Sequence, residues 1–303
     1  MLIFFNQLNY TWPELSESEL RRFLTFHHND KKLATVLPLL SIFVTAVNIW
    51  LWYYIDKGDF NRFEYFASLI ALVVVNSTLG LTLAHDLLHR DSKWAQAVGN
   101  LSLFTMALPY FYNDHRYTHH QNLGTPDDVT TARKNESFYH YLWRVPFYRL
   151  KTSFTLKNEY PEHLRKKIFN QNWLKLGLVL VLITALTVYA QKAVVLYLAQ
   201  SLLVYLMFEA GNYIQHYGLD RKPGTDIGVE HSWNCYHRYT NYITFFLPVH
   251  SPHHISGDLD RMEKIKGPRL PSVYFKTMLL ILMPHLWYRK MNPLLEDYAR
   301  ENA

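Results

Sequence analysis

Cysteine is almost absent, with a single residue, Cys235, in 303. No disulfide framework can form within the chain, and no C-x-x-C pair can hold a metal or run a dithiol couple. The lone thiol is expected to be reduced and packed. Residues 1–32 are polar with scattered aromatics and lack the charged, apolar and small-residue succession of a cleaved signal peptide. Charge is scarce as well: 18% of residues are charged, against 49% apolar and 16% aromatic. Residues 33–55 run for 23 positions without a charge and residues 65–84 for 20. Each is long enough to cross the core of a bilayer. Mean hydropathy is nevertheless only −0.12, so sizeable polar segments share the chain with these runs.

The first run ends in Trp50, Trp52, Tyr53 and Tyr54, an interfacial aromatic belt. The second contains Asn76, Ser77, Thr78 and Gly80, a face suited to packing on other helices, and leads directly into His85 and His89. Residues 173–190 and 193–211 form a second hairpin around Gln191-Lys192, with Lys175 placed to snorkel near an end. Residues 94–112 are also apolar, but the histidines on either side of them must share one membrane face for a common site. Nineteen residues cannot cross twice, so this stretch is read as re-entrant or interfacial. Residues 270–288 are broken by Pro271, Lys276, Pro284 and His285 and are read as half-inserted. The expected fold is therefore all-α, one integral-membrane domain over residues 1–303. It has four transmembrane helices in two hairpins, plus interfacial helices and a histidine-rich cap.

Between His85 and Asn172 lie 12 Lys or Arg residues, against two in residues 56–62 and one in the 191–192 turn. Cytoplasmic segments carry such an excess, which puts the histidines and both termini on the cytoplasmic side. The net charge of +6 is then a consequence of topology and requires no nucleic-acid partner.

Nine histidines fall in four short segments, each after an apolar run: His85 and His89; His115, His119 and His120; His216; His250, His253 and His254. Spacings of three and four residues place side chains on one helical patch, and neutral imidazole is the commonest metal ligand. One such pair at a helix end is weak evidence, but three clusters on one membrane side point to a shared metal site. The other seven histidines form no comparable set, and His27-His28 reads as solvated surface. His216 alone would read as structural. Glu209, seven residues earlier and two turns away on the same face, is expected to orient its ring. Asp86 and Asp114, beside the first two clusters, are candidates for the same supporting role. Nine imidazoles exceed the needs of one ion and suit two metals with four or five nitrogens each. A closed zinc site would favour cysteine. An all-nitrogen pair with open positions points to redox iron and dioxygen, although spacing leaves copper open.

The clusters resemble the three histidine boxes of the membrane fatty acid desaturase and hydroxylase superfamily, and in detail the bacterial alkane 1-monooxygenases. Asn212-Tyr213-Ile214-Gln215-His216-Tyr217-Gly218-Leu219 resembles the N-Y-x-x-H-Y-G-L element of that family. His231-Ser232-Trp233-Asn234 is similar to its H-S-W-N stretch, and Gly124-Thr125-Pro126-Asp127-Asp128 to the segment after its second box. Pro284-His285-Leu286-Trp287-Tyr288-Arg289 looks like its C-terminal signature. The resemblance covers roughly residues 80–293. It implies a non-haem diiron monooxygenase with two Fe held by the nine histidines named above. Such an enzyme inserts one oxygen atom of O₂ into a terminal methyl group of an apolar alkyl substrate drawn from the bilayer. It also implies electrons from a rubredoxin- or ferredoxin-type donor with its reductase, a carrier that is not fused here because it would need cysteine pairs. A bacterial inner membrane is the implied location. Asp86 stands where the family usually has glutamate, and Pro252 where an acidic residue is common. Against that resemblance, the N-terminal part is expected to lack one of the family's three membrane hairpins. Two rivals remain: an acyl-lipid desaturase with the same boxes, and a non-catalytic membrane metal-binding or transport protein. The uncharged spans speak against transport. Alkane, fatty acyl, terpene and alkylaromatic substrates are all left open.

Overall fold

The computed structural model describes residues 13–155, 160–255 and 265–301. The side chains of His27 and His28 lie outside the described residues. Four helices are long and apolar enough to cross a membrane: α2 (Lys31–Lys57), α3 (Arg62–His89), α7 (Glu162–Tyr189) and α8 (Gln191–His216). A short helix, α1 (Glu17–Asn29), precedes them. Among the described residues there is no strand beyond two isolated bridges, Glu14 with His237 and Asn234 with Arg269.

Each span outruns the uncharged stretch that marks it, because a helix continues until its backbone is capped. Asp30 accepts from the amides of Lys32 and Leu33 and opens α2. Asn61 and Glu64 form a reciprocal capping box that opens α3. The extension is greatest in α7, where residues 162–172 add three polar turns before the expected start at 173. The outward faces are apolar, as at Phe43, Leu178, Val181 and Leu202, and only 11% of the apolar window of α7 is buried inside the protein. Such surface is stable only in hydrocarbon, and the chain is a multi-pass membrane protein.

Within α3 the residues Asn76–Gly80 form a π-helical turn, closed by the Leu81 N–H on the Asn76 carbonyl. The buried Asn76 side chain exchanges two hydrogen bonds with Asn48 of α2, at 2.6 and 3.1 Å. An amide pair of this kind satisfies polar groups that lipid cannot, and it anchors the bulge below the first histidine pair.

The apolar stretch 94–112 does not cross. Helix α4 (Lys93–Phe104) has 12 residues, about 18 Å, and packs back along α3. Gly99 makes the approach possible: a Cβ there would lie 3.0 Å from the Ala84 carbonyl. The chain then breaks, with Ala107 at φ 52°, and returns as a helical run, α5, over residues 111–122. A break at membrane depth exposes carbonyls that need protein partners. Tyr197 OH donates to the Phe104 carbonyl at 2.8 Å and Gln200 Nε2 to that of Thr105 at 2.7 Å. Lys175, expected to snorkel, turns inward: its Nζ donates to Asn100 Oδ1 at 2.6 Å and lies 5.3 Å from the Tyr112 ring centre.

Helix α6 (Phe138–Phe154), capped by Ser137, runs over the histidine face. Short helices α9 (Arg238–Ile243) and α10 (Ser251–His254) come after α8. Residues 270–288 do not span, for α11 (Tyr274–Leu280) ends before α12 begins at Pro284 (Pro284–Glu301). The main core joins α6, α8, α11 and α12 around Tyr141, Tyr213, Tyr217, Trp233 and Trp287.

Replacing Gln200 with Leu removes the partner of the Thr105 carbonyl. It is expected to cost about 1–3 kcal/mol, read as a lower melting temperature of the purified protein in detergent. Tyr197→Phe should act in the same direction.

Candidate metal centre

Even crossings bring the ends of α3 and α8 to one face, where the 111–122 run and the 250–254 turn meet them. All nine expected histidines converge there. His85, His89, His115 and His253 form one set of donor atoms within 4.8 Å of each other, and His119, His216, His250 and His254 form another. His120 joins His253 and His254 between them.

The second cluster works because it is not an α-helix. At about 100° per residue, His120 would point roughly 140° away from His115 on an α-helix. Instead His115–His119 is a π turn, closed by the His120 N–H on the His115 carbonyl. The wider turn brings His120 back over His115, and their Nε2 atoms lie 3.0 Å apart. π turns of this kind are frequent at functional sites. In the third cluster the neighbours His253 and His254 go to different donor sets.

The donors meet through Nε2. His85 and His115 are 2.9 Å apart, His115 and His253 3.2 Å, and His120 and His253 3.1 Å. In the other set His216 and His250 are 3.2 Å apart, and His250 and His254 2.8 Å. Imidazoles at about 2.1 Å from a shared ion, at right angles, place their nitrogens about 3 Å apart. The spacing of the donor atoms therefore fits metal ligation.

Burial, then repulsion from neighbouring imidazoles, holds His115, His120, His250, His253 and His254 well below the ordinary histidine range. These rings are neutral and ready to ligate.

The supporting shell differs from the sequence expectation. His119 Nδ1 donates to Asp128 Oδ2 at 3.0 Å, which fixes the tautomer that leaves Nε2 for ligation. That Nε2 is buried without a hydrogen-bond partner. Asp128 is itself held by Thr130 and Thr131, both at 2.7 Å. Burial raises its pKa, but His119 and the hydrogen bonds outweigh burial and keep the carboxyl ionised. Asn234, in the H-S-W-N stretch, accepts from the amides of His250 and Ser251 at 2.8 and 2.9 Å and so pins the third cluster. Trp233 fastens the same loop to the end of α8 by donating to the carbonyls of Gln215 and Tyr217, both at 2.8 Å. Gly218, at φ 67°, lets the chain leave α8 just past His216, and its N–H bonds the Ala132 carbonyl.

Glu209 does not orient His216, which is a correction to the sequence reading. His216 Nδ1 lies 3.5 Å from Ser232 Oγ. The Glu209 carboxylate accepts from Arg149 at 3.0 Å, Tyr141 at 3.1 Å and Asn212 at 3.2 Å. Arg149 also donates to Asp114 at 2.6 Å. Two turns along a helix is about 10 Å, and a guanidinium on α6 is closer to the carboxylate than the ring is. Burial opposes the Arg149 charge, but Glu209 and Asp114 outweigh it and keep the guanidinium cationic. The triad is buried. Asp114 thus meets the site through Arg149, and Asp86 pairs with Arg90 at 2.8 Å. Asp128 carried a signal, an acidic pair just after the second cluster; Arg149 carried none.

A narrow cavity of about 60 Å³ opens below the donors. Ser77, Leu81, Phe111, Met207, Phe208 and Phe275 form walls around His85, His115 and His250. It touches both donor sets.

Asp128→Asn keeps the shape but weakens the acceptor for His119. Metal affinity, measured by titration of the purified protein, should fall roughly 10–100-fold. A second expectation concerns pH. The buried rings stay neutral in the fold, whereas unfolded histidine takes up a proton near pH 6.5. Below about pH 6.5 the unfolded state binds more protons, so stability is full above that point and is lost as pH falls. Melting of metal-free protein at pH 8 and pH 5.5 should show the lower temperature at pH 5.5.

The fatty acid desaturase family matches residues 63–291. The chain is 30% identical over 284 residues to alkane 1-monooxygenase 1 of Pseudomonas aeruginosa, a match covering 88% of this chain and 72% of the relative. It is 30% identical over 244 residues to alkane 1-monooxygenase 2 of Alcanivorax borkumensis, covering 76% and 63%. The hydroxylase component of xylene/toluene monooxygenase from Pseudomonas putida is 27% identical over 253 residues, covering 78% and 66%. The family match takes in α3, α7, α8 and all nine histidines, and the chain belongs to the alkane monooxygenase family within the fatty acid desaturase superfamily.

Proposed function

We propose that this protein is a membrane diiron monooxygenase that hydroxylates the terminal methyl group of an alkane or alkyl-chain substrate. The observation that carries the reading is the cavity: a narrow, largely apolar space reached by His85 and His115 of one donor set and by His250 of the other. The nine histidines would hold two iron ions, which when bound would activate O₂ for insertion into a C–H bond. The overall reaction takes substrate, O₂, two electrons and two protons to alcohol and water.

The residues account for the remaining requirements. An alkyl chain offers no polar handle, so binding rests on burial at roughly 0.8 kcal/mol per methylene. Leu81, Met207, Phe208 and Phe275 supply that surface. Phe111, buried and stacked 5.0 Å from His115, keeps water from the ring that faces the cavity. Asp128 and Asn234 hold donor rings before any ion arrives, which limits reorganisation during turnover. Residues 1–303 contain one cysteine, too few for an iron–sulfur centre. Electrons then come from outside these residues, from a rubredoxin- or ferredoxin-type donor served by its reductase. The Lys and Arg excess on the histidine side supports a cytoplasmic site in a bacterial inner membrane.

The test is metal analysis coupled to ¹⁸O₂ turnover on a panel of alkanes, fatty acyl chains, terpenes and alkylaromatics. The expected result is two irons per chain and a terminal alcohol carrying one ¹⁸O atom. His119→Ala and His253→Ala should abolish turnover and leave the protein in the membrane. A double bond without label would make the protein a desaturase, and stoichiometric zinc in active protein would overturn the reading.

A further inference from the structure

We propose that the Tyr274 hydroxyl donates a hydrogen bond to the substrate, and that the preferred substrate is an alkyl chain carrying an ether, ester or carbonyl oxygen. That oxygen stands a few carbons from the methyl group to be oxidised. The inference rests on the monooxygenase reading and names a substrate class for the same cavity.

Tyr274, on α11, lines the cavity and is 5% exposed. Its oxygen lies against α8, where a Cβ added at Gly211 would come within 2.9 Å of it. Gly211 and Asn212 line the same cavity. No hydrogen bond to this hydroxyl forms among the described residues. Unlike Ser77 Oγ, the oxygen is not sealed from the cavity. A buried tyrosine hydroxyl ordinarily has a partner.

The neighbouring polar side chains do not bond it, and their own donors are engaged. Asn212 Nδ2 donates to Glu209 at 3.2 Å, Gln215 Nε2 to the Leu247 carbonyl at 3.2 Å and Thr244 Oγ1 to the Thr240 carbonyl at 2.7 Å. Among these side chains the Tyr274 hydroxyl is the donor left for a ligand.

Its height along α8 sets where the acceptor belongs. Gly211 lies five residues before His216, about 7.5 Å along the axis. A reacting methyl group stops short of the donor nitrogens. The acceptor oxygen therefore belongs about one helical turn, roughly 5.4 Å, from that methyl. A plain alkane sets a methylene against the hydroxyl and leaves the donor unpaired, which disfavours it.

The experiment offers the iron-loaded full chain, with an electron donor and its reductase, an equimolar mixture of nonane and dibutyl ether. The two molecules match in heavy atoms and differ in whether a methylene or an oxygen stands at the centre. Gas chromatography of the two terminal alcohols gives an ether-to-nonane ratio that does not depend on total activity. Tyr274→Phe, which keeps the ring and removes the donor, should lower this ratio roughly two- to tenfold, the worth of one hydrogen bond. Gly211→Ala, which displaces the hydroxyl without removing it, should lower it in the same direction. Leu279→Ala, on the exposed side of α11, should leave it unchanged. The ratio of the two compounds retained by metal-free protein, measured over a detergent blank, gives the same comparison without turnover. An equal ratio in wild type and Tyr274→Phe, or an equal fall in Leu279→Ala, overturns the proposal and leaves the monooxygenase reading standing. Wild-type protein that oxidises neither compound sinks that reading, and the retention ratio still decides the role of Tyr274.

Discussion

An imidazole can reach a shared ion only if its backbone arrives at the same membrane face as the other donors. Nine rings from four segments meet that condition here, and the topology is its consequence. The stretches between successive clusters must return to the face they left. Two long helices do so between His120 and His216. Between His89 and His115 a 12-residue helix and a broken return do so without crossing. That short hairpin places unsatisfied carbonyls at membrane depth, and the buried Gln200 and the hydroxyl of Tyr197 on α8 answer them. The fourth span therefore serves twice, as the carrier of His216 and as the partner of the re-entrant tip.

Convergence of donors also has an electrostatic cost. Neutral rings would leave the charge of a bound cation uncompensated, and buried charge needs partners. Asp128 supplies one carboxylate in direct contact with His119. One layer further out, Asp114, Arg149 and Glu209 form a triad with two carboxylates and one guanidinium. Burial pushes the Asp114 carboxyl up, and the Arg149 guanidinium opposes that. The same triad ties α6 to α8 and to the residue preceding His115, so it links the cap to the spans. Arg149 lies 5.2 Å from the ring centre of Phe208, which connects the network to the cavity wall.

Local backbone irregularities are placed where the site needs them. The π turn at His115–His119 changes which residues share a face, and the π turn at Asn76–Gly80 sits at the cavity wall below His85. Asn48 holds the second of these from the neighbouring span. A regular α-helix in either position would turn the side chains above it by a residue's rotation, about 100°. The short helix α11 adds Phe275 to the wall, with α8 approaching closely because Gly211 has no side chain to meet Tyr274.

Hydrophobic length and histidine spacing are local properties, and the sequence alone determined their consequences. The four spans, the non-crossing stretch 94–112, the interrupted C-terminal segment and the nine histidines were all legible, since uncharged runs must bury themselves and clustered imidazoles seek a common ion. The resemblance of the H-Y-G and H-S-W-N elements pointed to the family that the comparisons show. Partner choice among buried polar groups was decided only by the tertiary structure. Glu209 and His216 share a helix face, yet the carboxylate turns to Arg149, which comes from a segment some 60 residues earlier. Lys175 finds Asn100 across a helix pair that no spacing announces. His253 and His254 are neighbours in the chain and belong to different donor sets, and His120 rejoins His115 through a π turn that α-helical periodicity excludes. Hydropathy reports whether a residue leaves water; which group it then meets depends on distances between segments that are remote in the chain.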